Sequence, residues 1–205
     1  MPRLDTLFVT RIKRHEIGRR SLDLVDVLRA TCFAIAAEDA AGQSWCREHG
    51  YRGYTSYASL DDLPRRASVF ADLVRLIDPK VAAFARSLDL DLGRRRLALD
   101  SFWINVLEPG GHHAAHVHPH SVVSGTFYVD VPKGASAIRF EDPRLGLMMA
   151  APPRRPTARL ANRTFVSVEP KAGTLLLWES WLRHEVPVNT ARRQRVSLSF
   201  NYRWQ

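Results

Sequence analysis

From Leu97 to Trp204 the chain is written in a two-residue period, and that alternation constrains its fold more than any other feature of the 205 residues. Segments whose apolar residues fall at every second position form strands with one apolar face. Eight stand out: 97–107 (LALDSFWINVL), 116–120 (HVHPH), 124–131, 137–142, 163–170, 173–180, 184–188 and 195–204 (RVSLSFNYRW). Pro109-Gly110-Gly111, Pro132-Lys133-Gly134 and Lys171-Ala172-Gly173 punctuate them as turns. Eight short strands with such turns predict a jelly roll, two antiparallel sheets face to face. Residues 143–162, rich in Pro, Arg and Ala, read as a long excursion over the surface.

Ahead of residue 97 the period is helical. Leu22, Val25, Leu28, Cys32 and Ile35 recur at three- and four-residue steps behind Ser21, which can cap the helix. Phe70, Leu73, Val74, Ile77, Val81, Phe84 and Leu88 repeat the pattern. Pro79 either kinks this second helix or starts a new one with Asp78 as N-cap. The intervening GYRGYTSYASLDDLP reads as a loop. The class is therefore mainly β with N-terminal helices, the helices packing on the outside of one sheet. The length predicts one domain over 1–205, with 1–96 mostly helical and 97–205 forming the jelly-roll core.

Composition narrows the setting. The chain needs no staples at this size. Its two cysteines, Cys32 and Cys46, form no C-x-x-C pair and read as reduced thiols of a cytoplasmic protein. The opening MPRLDTLFVTRIKRHEI has no apolar run of signal-peptide length, and no stretch of ~18 uncharged apolar residues occurs, which excludes a membrane-spanning helix. The net charge of +9 allows a nucleic-acid partner. Its arginines are dispersed, however (Arg19-Arg20, Arg65-Arg66, Arg94 to Arg96, Arg154-Arg155, Arg192-Arg193), and none of these runs is interleaved with aromatics. Exposed Trp and Tyr residues would permit a homodimer.

Five of the eight histidines fall between residues 112 and 120. Side chains two apart on a strand share a face, so His116 and His118 point together as a two-imidazole metal site. A catalytic metal needs a third protein ligand and an open position. His184, after the apolar GTLLLWESWLR, is the natural candidate. Further on, Arg195, Ser197, Ser199 and Asn201 share one face of a strand whose other face is Val196, Leu198 and Phe200. An inward arginine needs an anion, because buried unpaired charge is costly. Its planar fork suits a carboxylate, with Ser197 as a second donor. The alternative is an internal ion pair with Glu or Asp.

HVHPHSVVSGTFYVDVP, FEDPR, LLLWESWLRHEVPVN and RVSLSFNYRW together resemble a bacterial family of 2-oxoglutarate–Fe(II) oxygenases, built on a double-stranded β-helix. The resemblance extends to the opening LFVTRI and the GYTSYASL loop. It implies that His116, His118 and His184 hold Fe(II), and that Arg195, helped by Ser197, binds the distal carboxylate of 2-oxoglutarate. Ser124, Thr126 and Tyr128 share a strand face, which makes Tyr128 and Ser124 further cosubstrate candidates. Asn105, beside Trp103, also reaches toward the pocket. The implied reaction takes 2-oxoglutarate, dioxygen and an unidentified substrate to a hydroxylated or demethylated product. The loop carrying Tyr51, Tyr54 and Tyr57 and the 143–162 excursion are the expected substrate-facing elements.

One departure stands out. Most of the superfamily has H-x-D or H-x-E, and here the second position is His118. Either three histidines hold the metal, or one of the pair lies behind the others and water fills the gap. His112, His113 and His120 then orient ligands or lie exposed. Two other readings compete. A cupin also uses H-x-H and a later histidine, but expects a glutamate where PHSVVSG follows. A metal-binding or nucleic-acid-binding module without turnover leaves Arg195 unexplained.

Overall fold

The computed structural model describes residues 3–17 and 22–205. Among them the chain forms β1 (Ile12–Glu16), α1 (Leu22–Glu38), α2 (Ala40–Glu48), β2 (Gly53–Thr55), α3 (Leu63–Arg66), α4 (Ser68–Ser87), β3 (Leu97–Leu107), β4 (His113–His116), β5 (Val123–Asp130), β6 (Ile138–Glu141), β7 (Phe165–Val168), β8 (Thr174–Glu179), β9 (His184–Val186) and β10 (Arg195–Trp204). The strands make two antiparallel sheets, β1-β8-β5-β10-β3-β2 and β4-β9-β6-β7, the two layers expected of a jelly roll. The Ser21 cap and the Arg19-Arg20 pair lie outside the described residues.

Strand β10 shows what the alternation does. Val196, Leu198, Phe200 and Tyr202 are at most 2% exposed and join Phe102, Ile104, Phe127 and Leu175 in one apolar face of the larger sheet. Against that face pack Val25, Leu28 and Cys32 of α1 and Phe70, Leu73, Ile77, Val81 and Phe84 of α4. The residues between them, Arg195, Ser197, Ser199 and Asn201, turn to the cavity between the sheets. Burying each large apolar side chain contributes roughly 1.5–3 kcal/mol, so this outer face carries much of the folding, while the inner face sets polar groups beside a second apolar cluster of Leu107, Tyr128, Leu176 and Trp178 against Ile138, Phe140 and Val186. Gly125 serves this packing: a Cβ there would stand 2.3 Å from Phe200 Cζ and 2.7 Å from the Leu176 carbonyl.

Several expectations need correction. HVHPH is not a strand: β4 ends at His116, and His118 lies in the following turn, its N–H donating to the Ser180 carbonyl at 3.0 Å. Pro119 has no N–H for a ladder, and His120 adopts φ 67°, so the chain turns where the period suggested extension. Helix α4 runs unbroken through Pro79. Pro79 sits on its exposed side, where the carbonyl it leaves without a partner meets solvent. Asp78 is consequently inside the helix, not its cap, and accepts from the Tyr202 hydroxyl. The GYRGYTSYASLDDLP loop contains β2, which extends the large sheet by pairing with β3, and the start of α3. Strand β1, unmarked in the sequence reading, pairs with β8 at the opposite edge.

Candidate active site

Two of the three candidate ligands meet because their strands do. His116 and His184 are direct partners across the β4–β9 ladder, and their rings lie 4.4 Å apart. His118 reaches the same point from the turn, 5.0 Å from the His116 ring and 5.1 Å from that of His184. One ligand nitrogen from each lies within 4.8 Å of the others, close enough for small ring rotations to close all three on one ion. The convergence expected of His116, His118 and His184 therefore occurs, although strand parity is not what brings His118 in.

The tautomers of two rings follow from their neighbours. His116 Nδ1 lies 2.7 Å from the Ala114 carbonyl and His184 Nδ1 2.9 Å from the Leu182 carbonyl. A carbonyl only accepts, so each Nδ1 carries the proton and each Nε2 keeps its lone pair for a metal. Burial, with like charge from neighbouring histidines, lowers the pKa of His184 to about 3 and of His118 to about 4. Both are thus neutral, the ligating form, at physiological pH.

His113, left open in the sequence, is not a surface residue. Its Nε2 pairs with the Tyr51 hydroxyl at 2.7 Å, beside Arg195. Burial, then the Arg195 charge, lowers its pKa to about 3. Unfolded histidines titrate near 6.5, so between that pH and about 3 the unfolded chain binds more protons than the folded one, and stability is lost as the pH falls through this range. Metal-free protein is expected to have a lower urea midpoint at pH 5 than at pH 7. Equal midpoints would contradict the burial of these rings.

Arg195 defines the other end of the site. It is 3% exposed, with the guanidinium 5.1 Å from the Tyr128 ring centre and one N–H donated to the Ser136 carbonyl at 3.2 Å. Among the described residues no carboxylate lies within ion-pair distance of it. The internal ion pair that would have explained it away is absent there. Its Nε has no partner, nor do the buried Tyr128 hydroxyl, Thr126 Oγ1 and Trp178 Nε1. Buried polar groups are otherwise almost always satisfied, and a cation without an anion costs most of all. This set fits a carboxylate-bearing ligand.

Arg195 and the three histidines line one cavity of about 560 Å3. Ser197 and Asn105 line it too; Asn105 is held between Thr55 (3.0 Å) and Ser199 (3.1 Å). Ser124 shares the strand face, but Ser180 and Asn201 hold its hydroxyl at 2.8 and 2.7 Å. Trp103, 6.0 Å from the His118 ring, and the exposed Tyr57, 5.1 Å beyond it, form an aromatic wall leading outward. Tyr54 instead donates to Asp39 in the helical layer, and no residue of 143–162 lines the cavity. Sequence reading missed the Tyr51–His113 pair and the unsatisfied Thr126 and Trp178. Parity placed Thr126 on the inner face, and the histidine cluster and the tyrosine loop marked His113 and Tyr51 singly but not as partners; no local signal marked Trp178. Cys32 and Cys46 are buried and unpaired, and no described helix is long and apolar enough to cross a membrane.

The model of the family described as "Putative 2OG-Fe(II) oxygenase" matches residues 101–201, from β3 to β10. A Pseudomonas putida prolyl-4-hydroxylase superposes with a TM-score of 0.62 at 22% identity, over 95% of this chain and 93% of that one. HygX from Streptomyces hygroscopicus, solved with nickel and 2-oxoglutarate, gives 0.59 at 14% identity over 94% and 81%. The viral collagen prolyl hydroxylase of Paramecium Bursaria Chlorella virus-1, in its 2-oxoglutarate complex, gives 0.55 at 11% over 94% and 96%. At these identities the superpositions establish the fold. No curated protein sequence gives a significant match.

Proposed function

We propose that this chain, which belongs to the 2OG-Fe(II) oxygenase family through residues 101–201, is an Fe(II)- and 2-oxoglutarate-dependent dioxygenase that hydroxylates or demethylates a separate substrate. The observation that carries the reading is Arg195, a buried cation with an unpartnered Nε, in one cavity with three converging histidines.

In this reading His116, His118 and His184 would hold the iron. Arg195 takes the distal carboxylate of 2-oxoglutarate. The Tyr128 ring backs the guanidinium, and its unsatisfied hydroxyl is a further donor to the same group. Ser197 adds a hydroxyl from the next inward position of β10, and Asn105 borders the cosubstrate from β3. Once bound, iron and cosubstrate supply dioxygen activation coupled to oxidative decarboxylation; the protein positions them and keeps water away. Three neutral imidazoles leave the charge of the ion uncompensated. With its distal carboxylate on Arg195, the cosubstrate has one carboxylate for the ion, which offsets one of its two charges and leaves the site more cationic than one with a protein carboxylate. Substrate enters along Tyr57 and Trp103, the wall that opens to solvent.

Anaerobic addition of Fe(II) and then 2-oxoglutarate to metal-free protein is expected to produce a weak visible charge-transfer band. Admitting air should then release succinate slowly even without substrate. Metal binding with neither band nor succinate would remove the cosubstrate and favour a cupin-like role.

A further inference from the structure

Carbonyls fix the rings of His116 and His184, but His118 meets a side chain instead. Its Nδ1 lies 3.4 Å from Nδ2 of Asn201, a residue 6% exposed. Asn201 sits among hydroxyls: Oδ1 accepts from Ser124 Oγ at 2.7 Å, and Nδ2 donates to Ser101 Oγ at 3.0 Å. Ser124 continues to Ser180 Oγ at 2.8 Å, and the Ser180 carbonyl accepts the His118 backbone N–H at 3.0 Å. Both the ring and the backbone of His118 therefore rest on one buried polar cluster.

The hydrogen inventory of that cluster has a consequence for the metal. An amide presents a donor at one end and an acceptor at the other. With the donor end toward Nδ1, a neutral His118 keeps its proton on Nε2 and has no lone pair there for an ion. With the amide turned by 180°, Oδ1 accepts from Nδ1–H and Nε2 is free, as in His116 and His184. The surroundings accommodate both orientations, because hydroxyls exchange donor and acceptor roles by rotation. Ser101 then donates to Oδ1, and Ser124 accepts from Nδ2 while donating to Ser180.

We propose that Asn201 is a positioning residue of the metal centre. By turning Oδ1 to His118 it selects the tautomer that offers Nε2 to the ion, the part a backbone carbonyl plays for the other two ligands. The inference rests on the three-histidine reading above. It adds that β10 serves both ends of the site, Arg195 for the cosubstrate and Asn201 for the ligand that replaces the usual carboxylate.

Cobalt titration of the metal-free protein, followed by the visible absorption of bound Co(II), tests this. Asn201→Ala is expected to weaken Co(II) binding about 10- to 100-fold, the usual cost of losing a ligand's hydrogen-bond partner, and to alter the Co(II) spectrum. Asn201→Asp, which can only accept, should hold wild-type affinity or exceed it. A folded Asn201→Ala with wild-type affinity and spectrum overturns the proposal, as does an Asn201→Asp that loses tenfold or more. The aspartate variant decides alone should the alanine variant not fold. A wild-type protein that binds no Co(II) defeats the metal site itself, a different outcome from a wild type that binds while Asn201→Ala matches it.

Discussion

Arg195→Ala is expected to weaken 2-oxoglutarate binding to the Fe(II)-loaded protein by about 3–5 kcal/mol, between two and nearly four orders of magnitude in affinity. The size follows from burial. At 3% exposure the guanidinium cannot be replaced by water-screened charge, and the described residues offer the cosubstrate no second cation at that end of the cavity. Deleting it leaves the buried carboxylate with the neutral Tyr128 and Ser197 hydroxyls, which do not compensate its charge, and with the Ser136 carbonyl, which repels it. Metal affinity should be almost unchanged, because the histidines do not depend on Arg195 for their geometry. Titration of the charge-transfer band with 2-oxoglutarate measures the loss. An undiminished band would show that the cosubstrate binds elsewhere.

His184→Leu should separate function from stability. His184 is 4% exposed, wedged 4.9 Å from the Trp178 ring and 5.9 Å from that of Phe140. Leucine fills much of that space without a polar nitrogen to desolvate. The metal-free variant is therefore expected to match or exceed the parent in urea midpoint, with the advantage growing at pH 5, where the parent pays for keeping this ring unprotonated. Metal binding should fall by more than the ~100-fold that marks loss of an outer partner, since a direct ligand has gone. A variant that still binds Co(II) as the parent does would remove His184 from the ligand set.

How far the sequence could be read depended on which contacts carried the information. Strands 97–107 and 195–204 were legible to the residue, because half of each is buried against helices and the apolar alternation is continuous. The inward face of β10 was legible for the same reason, and with it Arg195 and Ser197. HVHPH misled because alternating histidines imitate a strand, while Pro119 and the Ser180 contact decide the backbone. Pro79 left a kink and a new helix open: one helix runs through it, and the sequence does not show that the carbonyl it leaves without a partner falls on a solvent-facing turn. The Tyr51–His113 pair and the Asn201 cluster could not be read at all, since each joins residues from elements distant in sequence and no local pattern records such a meeting.

The cross-strand pairing of His116 with His184 has a thermodynamic corollary. Because β4 and β9 come from distant parts of the chain, an unfolded molecule holds no comparable arrangement, and an ion that prefers the triad binds the native state almost alone. Binding is then linked to folding: at a free metal concentration 100 times the dissociation constant, the fold gains about 2.7 kcal/mol. If the triad holds iron as proposed, the melting temperature is expected to follow the free metal concentration, and a chelator is expected to lower it.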